Sequence, residues 1–264
     1  MKLIILATFL LVSLAVANDA YETERAEVPA CTSSGTGPSW DGPLAELFNT
    51  GPWYNSAGTG AGGKDESILE SWGTTYGYGC QFSVQNYVAD DFVVPTGENW
   101  SITSITVGGY QTGSGTSPTI NGLYLAGYDD PPTTGAVVYG DITTNIFSSA
   151  GWSDIYRVNE SGSGTNTDRP IMAVTATLAT PWVVSEGTYW VAWQLDGTGS
   201  SGPWAPPVVI MGTQDTGNGL QSTDGGVTWN PINNGGFPQG FLMVIEGDLT
   251  SLDQTTWGSI KTVF

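Results

Sequence analysis

Carboxylates and aromatic rings are the groups in this sequence that could do chemistry, because histidine is absent and lysine plus arginine total 6 against 25 aspartates and glutamates. Without an imidazole, Ser-His-Asp and Cys-His mechanisms are excluded, as are His-ligated zinc and haem sites. A glycosidase needs only two carboxylates, about 5–5.5 or 6.5–9.5 Å apart. Glu186 and Glu246, both at the ends of apolar runs, are the pair best placed for that role. Neither a Gly-x-Ser-x-Gly elbow nor a phosphate loop occurs. Two acidic doublets, Asp90-Asp91 and Asp129-Asp130, offer the hard oxygen ligands that Ca²⁺ takes. Neighbours on a strand face opposite ways, so one of Asp90 and Asp91 points inward. It then needs backbone donors, Arg157, Arg169 or a cation. Asp129-Asp130, ahead of Pro131-Pro132, suits a solvated turn better, and no EF-hand spacing is present.

The aromatic candidates sit on loops. Trp204 lies in the proline-stiffened segment 201–207, and Trp53 and Tyr54 follow Gly51-Pro52. Flat rings on rigid loops suit the apolar faces of sugars, with neighbouring polar side chains bonding the hydroxyls. The competing reading is that these rings pin their loops to the edge of the fold. In 165–171, Asp168 and Arg169 could lock a turn as an ion pair, or clamp a substrate.

The sharpest local pattern is Ser222-Thr223-Asp224-Gly225-Gly226-Val227-Thr228-Trp229. Asp224 can accept hydrogen bonds across a turn, glycine permits positive φ, and Trp229 can pack beneath the hairpin. The segment resembles the Asp-box, Ser-x-Asp-x-Gly-x-Thr-Trp, of sialidase-like propellers and other extracellular folds. That resemblance implies structural roles for Ser222, Asp224, Gly226, Thr228 and Trp229, because the box stabilises a hairpin away from the catalytic site. Sialidases also carry several boxes and an arginine cluster, whereas beyond the first 17 residues this chain has one box and Arg25, Arg157 and Arg169.

Stepping out from these residues, 3–17 is an apolar run behind Lys2 that closes on Ala15-Val16-Ala17, the pattern of a secretory signal peptide. It is too short for a spanning helix, and no later stretch could cross a membrane. Residues 18–39 read as an acidic, Gly/Ser-rich leader. An oxidising destination makes a Cys31–Cys80 disulfide the default expectation. A net charge of −19 would repel nucleic acid and, without bridging calcium, anionic polysaccharides.

Only 12% of residues are charged and 37 are glycine, which favours strands joined by tight turns over helices. Ile68, Leu69 and Trp72 have helical spacing, predicting one short helix over 65–72. From 81 onward about ten short β-branched and aromatic runs alternate with turn clusters. They lie at 82–94, 101–111, 120–128, 136–142, 154–158, 171–178, 187–195, 208–211, 219–229 and 241–246. This predicts an all-β protein, an antiparallel β-sandwich over 40–249. In 189–195 large residues fall on both faces, so the second face must be covered or used for binding. Leu252, Trp257, Ile260 and Phe264 share a helical face, making 250–264 an amphipathic tail with a C-terminal helix.

Pro181-x4-Glu186-Gly187-Thr188-Tyr189-Trp190 resembles a strand start in secreted jelly-roll and carbohydrate-binding-module-like sandwiches. With the signal, Asp90-Asp91-Phe92, the single Asp-box and the Trp257-Gly258 tail, the chain is similar to an uncharacterised class of secreted bacterial β-sandwich proteins. The expectation is a secreted, non-catalytic jelly-roll module that binds carbohydrate or another surface ligand through loop aromatics, with Ca²⁺ as a structural option. An adhesive surface protein acting through its tail and a two-carboxylate polysaccharide hydrolase are the alternatives. Oligomeric state is left open.

Overall fold

The computed structural model describes residues 45–250; the signal segment, the leader with Cys31, and the tail from 251 onward lie outside them. The strands are β1 (Ala45–Asn49), β2 (Asp65–Leu69), β3 (Tyr78–Gly79), β4 (Tyr87–Gly109), β5 (Ile120–Tyr128), β6 (Val137–Asp141) and β7 (Phe147–Asn159). They continue as β8 (Pro170–Gly197), β9 (Trp204–Ala205), β10 (Leu220–Ser222), β11 (Asn230–Pro231), β12 (Asn233–Asn234), β13 (Phe237–Pro238) and β14 (Met243–Leu249). Among the described residues the only helical pieces are three-residue 3₁₀ turns, and no helix is long and apolar enough to cross a membrane.

Two long strands organise everything else. β4 and β8 pair antiparallel from Val88↔Trp193 to Gly109↔Met172, and both turn a corner midway. Phe92 and Trp100, eight positions apart on β4, stack with ring centroids 6.1 Å apart, whereas that length of straight strand would separate them by roughly 26 Å. Trp182 and Tyr189 on β8 approach to 5.8 Å in the same way. The corner in β4 falls at 95–98, where pairing jumps from Val94↔Gly187 to Asn99↔Ser185. Pro95 brings no N–H to the ladder, and Gly97 takes a φ of 83° that a side chain would resist. Glu186 closes the corner by accepting a hydrogen bond from the Gly97 N–H at 2.8 Å.

The corners create two facing layers that share β4 and β8. One carries β10, the first half of β4, the second half of β8, β5 and β6; the other carries β1, β14, the rest of β4, the rest of β8, β7 and β2. Phe92, Trp100, Trp182, Trp193, Phe241 and Ile245 fill the space between them. The fold is thus an all-β sandwich, as the turn-rich composition predicts. The expected separate runs 82–94 and 101–111 are one strand bent at its proline, and 171–178 and 187–195 are likewise one.

Three expectations are corrected. The segment 65–72 is not a helix: Asp65–Leu69 is strand β2, paired in parallel with β7 from Asp65↔Ile155 to Leu69↔Asn159, so the sheet is not wholly antiparallel. Glu66, Ser67, Ile68 and Leu69 are all buried, and consecutive burial demands a strand covered on both faces rather than one helical stripe. Second, among the described residues Cys80 is a free thiol with no exposed surface, its Sγ donating to the Pro203 carbonyl at 3.5 Å, and no disulfide is found where one with Cys31 is expected. Third, Arg169 does not pair with Asp168 but stacks over the Tyr76 ring at 4.0 Å. The second face of 189–195 is covered by the chain itself, since Trp190 and Ala192 pack with Ala89, Leu220, Tyr128, Ile142 and Trp229.

Candidate functional site

A groove of about 530 Å³ opens where the two layers part, between the edge strand β6 and the start of β7 with the middle of β8. Its origin is a second irregularity in β8. Pairing with β4 jumps from Ser104↔Thr177 to Ile102↔Trp182, leaving four residues of β8, 178–181, opposite Thr103. Pro181 cannot donate to the ladder, so the strand bulges there. Leu178 turns into the core while Ala179 and Thr180 are exposed and line the groove.

Opposite the bulge, Tyr139 on β6 reaches across the gap. Its hydroxyl donates to the Thr180 carbonyl at 2.6 Å, and its ring stacks on Trp182 at 5.5 Å and 20°. Trp182 covers one face, and the rest of the half-buried ring borders the groove. Partial burial raises the pKa of its phenol, which stays neutral and able to donate. Gly140, beside it, has φ of 60°, and a Cβ there would lie 2.8 Å from the Leu125 carbonyl oxygen. This lets the β5–β6 hairpin close tightly and turn Asp141 toward the groove.

Asp141 is the one charged residue in the lining. Its Oδ1 accepts from the backbone N–H groups of Thr143 and Thr144 at 2.7 and 2.8 Å and from Thr143 Oγ1 at 2.5 Å, while Oδ2 accepts from Thr144 Oγ1 at 2.5 Å. The hydroxyls of Thr143 and Thr144, then the Thr143 N–H, hold the carboxyl at about 2, so it is an anion at neutral pH. Phe147 and Ile146 add apolar surface, and the hydroxyl groups of Thr144, Ser148, Thr177 and Thr180 line the walls. Ser148 Oγ also accepts from the Thr177 N–H at 2.8 Å, tying β7 to β8 at the lip. An aromatic ring beside several hydroxyls and one carboxylate can bind a polyhydroxylated ligand by stacking and hydrogen bonding.

The residues expected from sequence lie elsewhere. Trp53 is 3% exposed in a cluster with Ile155, Val208 and Leu242, and Tyr54 packs on that cluster, so this pair anchors its loop. Trp204 is half-buried in β9, exchanges backbone hydrogen bonds with Tyr110 and donates its indole N–H to Ser201 Oγ at 3.4 Å. It too is tied to the body of the fold. Glu186 serves the β4 corner. Glu246, buried on β14, faces Ser104 of β4, whereas Glu186 follows the Ser185↔Asn99 row. Those rows are five steps apart along β4, a backbone offset of roughly 17 Å, well beyond either glycosidase spacing.

No protein-family model matches the chain, and none of the curated proteins or solved structures does either.

Asp90, Asp129 and Asp130 accept hydrogen bonds from protein donors. Asp90 points inward, 3% exposed, and accepts from the backbone N–H groups of Phe241 and Asp91; Asp91 faces the other way beside Trp190. Asp129 accepts from the Ala136 N–H at 2.7 Å and Asp130 from Thr134 Oγ1 at 3.2 Å, so both stitch one turn. No group of three or more His, Cys, Asp or Glu side chains able to hold a metal occurs among the described residues. The segment 222–229 connects β10 to β11. Asp224 accepts from Thr228 Oγ1 at 2.6 Å, the Thr228 N–H at 2.9 Å and Ser222 Oγ at 2.8 Å, and Ser222 Oγ accepts from the Gly226 N–H. Trp229 packs on Tyr87 with centroids 6.2 Å apart. These bonds fasten the turn. Sequence reasoning missed Tyr139, Asp141 and Thr180; the available signal was Pro181 interrupting a strand next to a threonine-rich stretch.

Proposed function

We propose that this protein is a secreted, non-catalytic β-sandwich module that binds carbohydrate, and that the binding surface is the groove between β6 and the β8 bulge. The observation that carries the reading is the pairing of Tyr139 with a wall of hydroxyls in a groove of about 530 Å³, room for one to a few sugar rings. The loop aromatics are anchored, and the two candidate catalytic glutamates stand apart along β4. The turn resembling an Asp-box serves as a hairpin fastener beside the sandwich.

The test is co-sedimentation of residues 18–264 with insoluble polysaccharides, followed by titration calorimetry with the oligosaccharides of whichever polymer retains the protein. Tyr139→Ala is expected to weaken binding about tenfold, the loss of one aromatic anchor. Trp204→Ala is expected to leave binding within about twofold. The reverse pattern, at unchanged melting temperature, would move the site to the 201–207 loop and overturn the assignment. Release of reducing ends would overturn the non-catalytic reading.

A further inference from the structure

Building on the carbohydrate reading, we infer that Asp141 makes the groove selective for uncharged saccharides against uronate-containing ones. The argument rests on placement. Among the described residues Asp141 is the single charged side chain lining the groove, no lysine or arginine is in that lining, and its other polar residues are Tyr139, Thr144, Ser148, Thr177 and Thr180. A carboxylate has about four acceptor sites. Oδ1 takes three donors from the turn 141–144, but Oδ2 takes one, from Thr144 Oγ1. Oδ2 therefore keeps acceptor capacity that a sugar hydroxyl can fill. A sugar carboxylate brings no donor and adds a second negative charge.

The turn also fixes the anion in place. Four hydrogen bonds from Thr143 and Thr144 clamp the group, so the side chain cannot swing away from an incoming charge. The net charge of −19 repels polyuronates in general, and that long-range repulsion weakens with salt. The contribution of Asp141 acts at contact distance, so salt weakens it less than it weakens the more distant charges.

The experiment compares a neutral oligosaccharide that binds with its uronic acid counterpart, on wild type and Asp141→Asn, in about 0.15 M and 1 M NaCl, where screening lengths are about 8 and 3 Å. Asparagine keeps the shape and the acceptor oxygen of the turn while removing the charge. The expected result is that wild type prefers the neutral ligand at both salt concentrations. Asp141→Asn should raise uronate affinity relative to neutral affinity about fivefold, the attraction or repulsion of one close charge in a watery site, with the lost Oδ2 acceptor weakening both ligands alike. Equal wild-type affinities for the two ligands at 1 M salt, or an unchanged preference in Asp141→Asn, would overturn the inference and leave the carbohydrate reading standing. Absence of binding to every saccharide would overturn both. If Asp141→Asn does not fold, the wild-type comparison at 1 M salt still decides.

Discussion

Arg157 is buried completely, and its hydrogen-bond partners are neutral oxygens. Nε donates to the Tyr76 carbonyl at 2.8 Å, Nη1 to the carbonyl and Oγ of Ser67 at 3.3 and 3.1 Å, and Nη2 to the Thr75 carbonyl at 3.2 Å. Burial draws its pKa down to about 10, with Tyr110, Tyr76 and Tyr78 opposing the shift, so it remains a cation at neutral pH. The planar fork is what lets one group hold both β2 and the strandless segment 75–76. Arg157→Lys keeps the charge and its desolvation, since an ammonium is hydrated more strongly, but gives up the fork. Of the partners left, the Thr75 carbonyl retains Asn234 Nδ2 at 3.3 Å, whereas the Tyr76 and Ser67 oxygens, bonded by different guanidinium nitrogens, lose the planar donor set that serves them together. Losing one or two charged hydrogen bonds, at about 1.5–3 kcal/mol each, gives a destabilisation of about 1.5–6 kcal/mol. For a domain of this size that is a drop in melting temperature of roughly 3–24 °C. Urea unfolding at pH 7, followed by tryptophan emission, measures it, and a cycle with Ser67→Ala isolates the Nη1 contact. A lysine variant within about 1 kcal/mol of wild type would refute the claim that the guanidinium geometry holds this region.

Other consequences follow from the same contacts. Asp141 and Asp224 are both held at about 2 against an ordinary 3.8, chiefly by threonine hydroxyls. A depressed native pKa gives stability that is complete above the unfolded value and lost as pH falls through the folded one, so the melting temperature should decline from about pH 4 toward pH 2. Asp141→Asn and Asp224→Asn should each flatten that decline, and an unaltered acid limb in both would contradict the hydrogen bonding described. Burial pushes the Cys80 thiol up and closes it off. In a Cys31→Ser background it should ignore Ellman's reagent until guanidinium is added, and prompt reaction of the native protein would show an accessible thiol. Deleting Ala179 and Thr180 shortens the β8 bulge by an even number, which preserves the alternation of faces. The variant should keep a β-type circular dichroism spectrum and lose carbohydrate binding at least tenfold; retained binding would place the site outside the groove.

Much of the fold was legible because burial in strands leaves a direct pattern. The run Ile120–Tyr128 has the bounds expected from its residues, and Phe92 and Trp193 lie in runs that read as strands, whereas Trp100 and Trp182 fall outside them because the strands continue through their corners. The misreadings have physical causes. Ile68, Leu69 and Trp72 fit a helical spacing, but three residues cannot distinguish one stripe from a strand buried on both sides, and Glu66 and Ser67 between the layers carry no apolar signal. Trp53 and Trp204 looked available because glycine and proline surround them. Those same residues let each loop fold back tightly enough to bury or brace its indole.

The groove was illegible for a different reason. Periodicity describes one strand at a time, whereas the groove is a property of two strands in different layers that stop following each other. Pro181 signals that a ladder is interrupted, yet nothing local says that Tyr139, some forty residues earlier, will bridge the gap to Thr180. That contact depends on β8 passing from one layer to the other, so that its first half faces β7 and its second half faces β5 with β6 beyond. The corner at Gly187 and the bulge before Pro181 are separate departures from regular pairing on the same strand. The first brings the layers face to face over a shared core, and the second keeps them from closing at one edge. An apolar residue at Thr180 or Asp141 would favour closure of that edge, whereas a ring beside hydroxyls and a clamped anion leaves it wettable and open to a polar ligand.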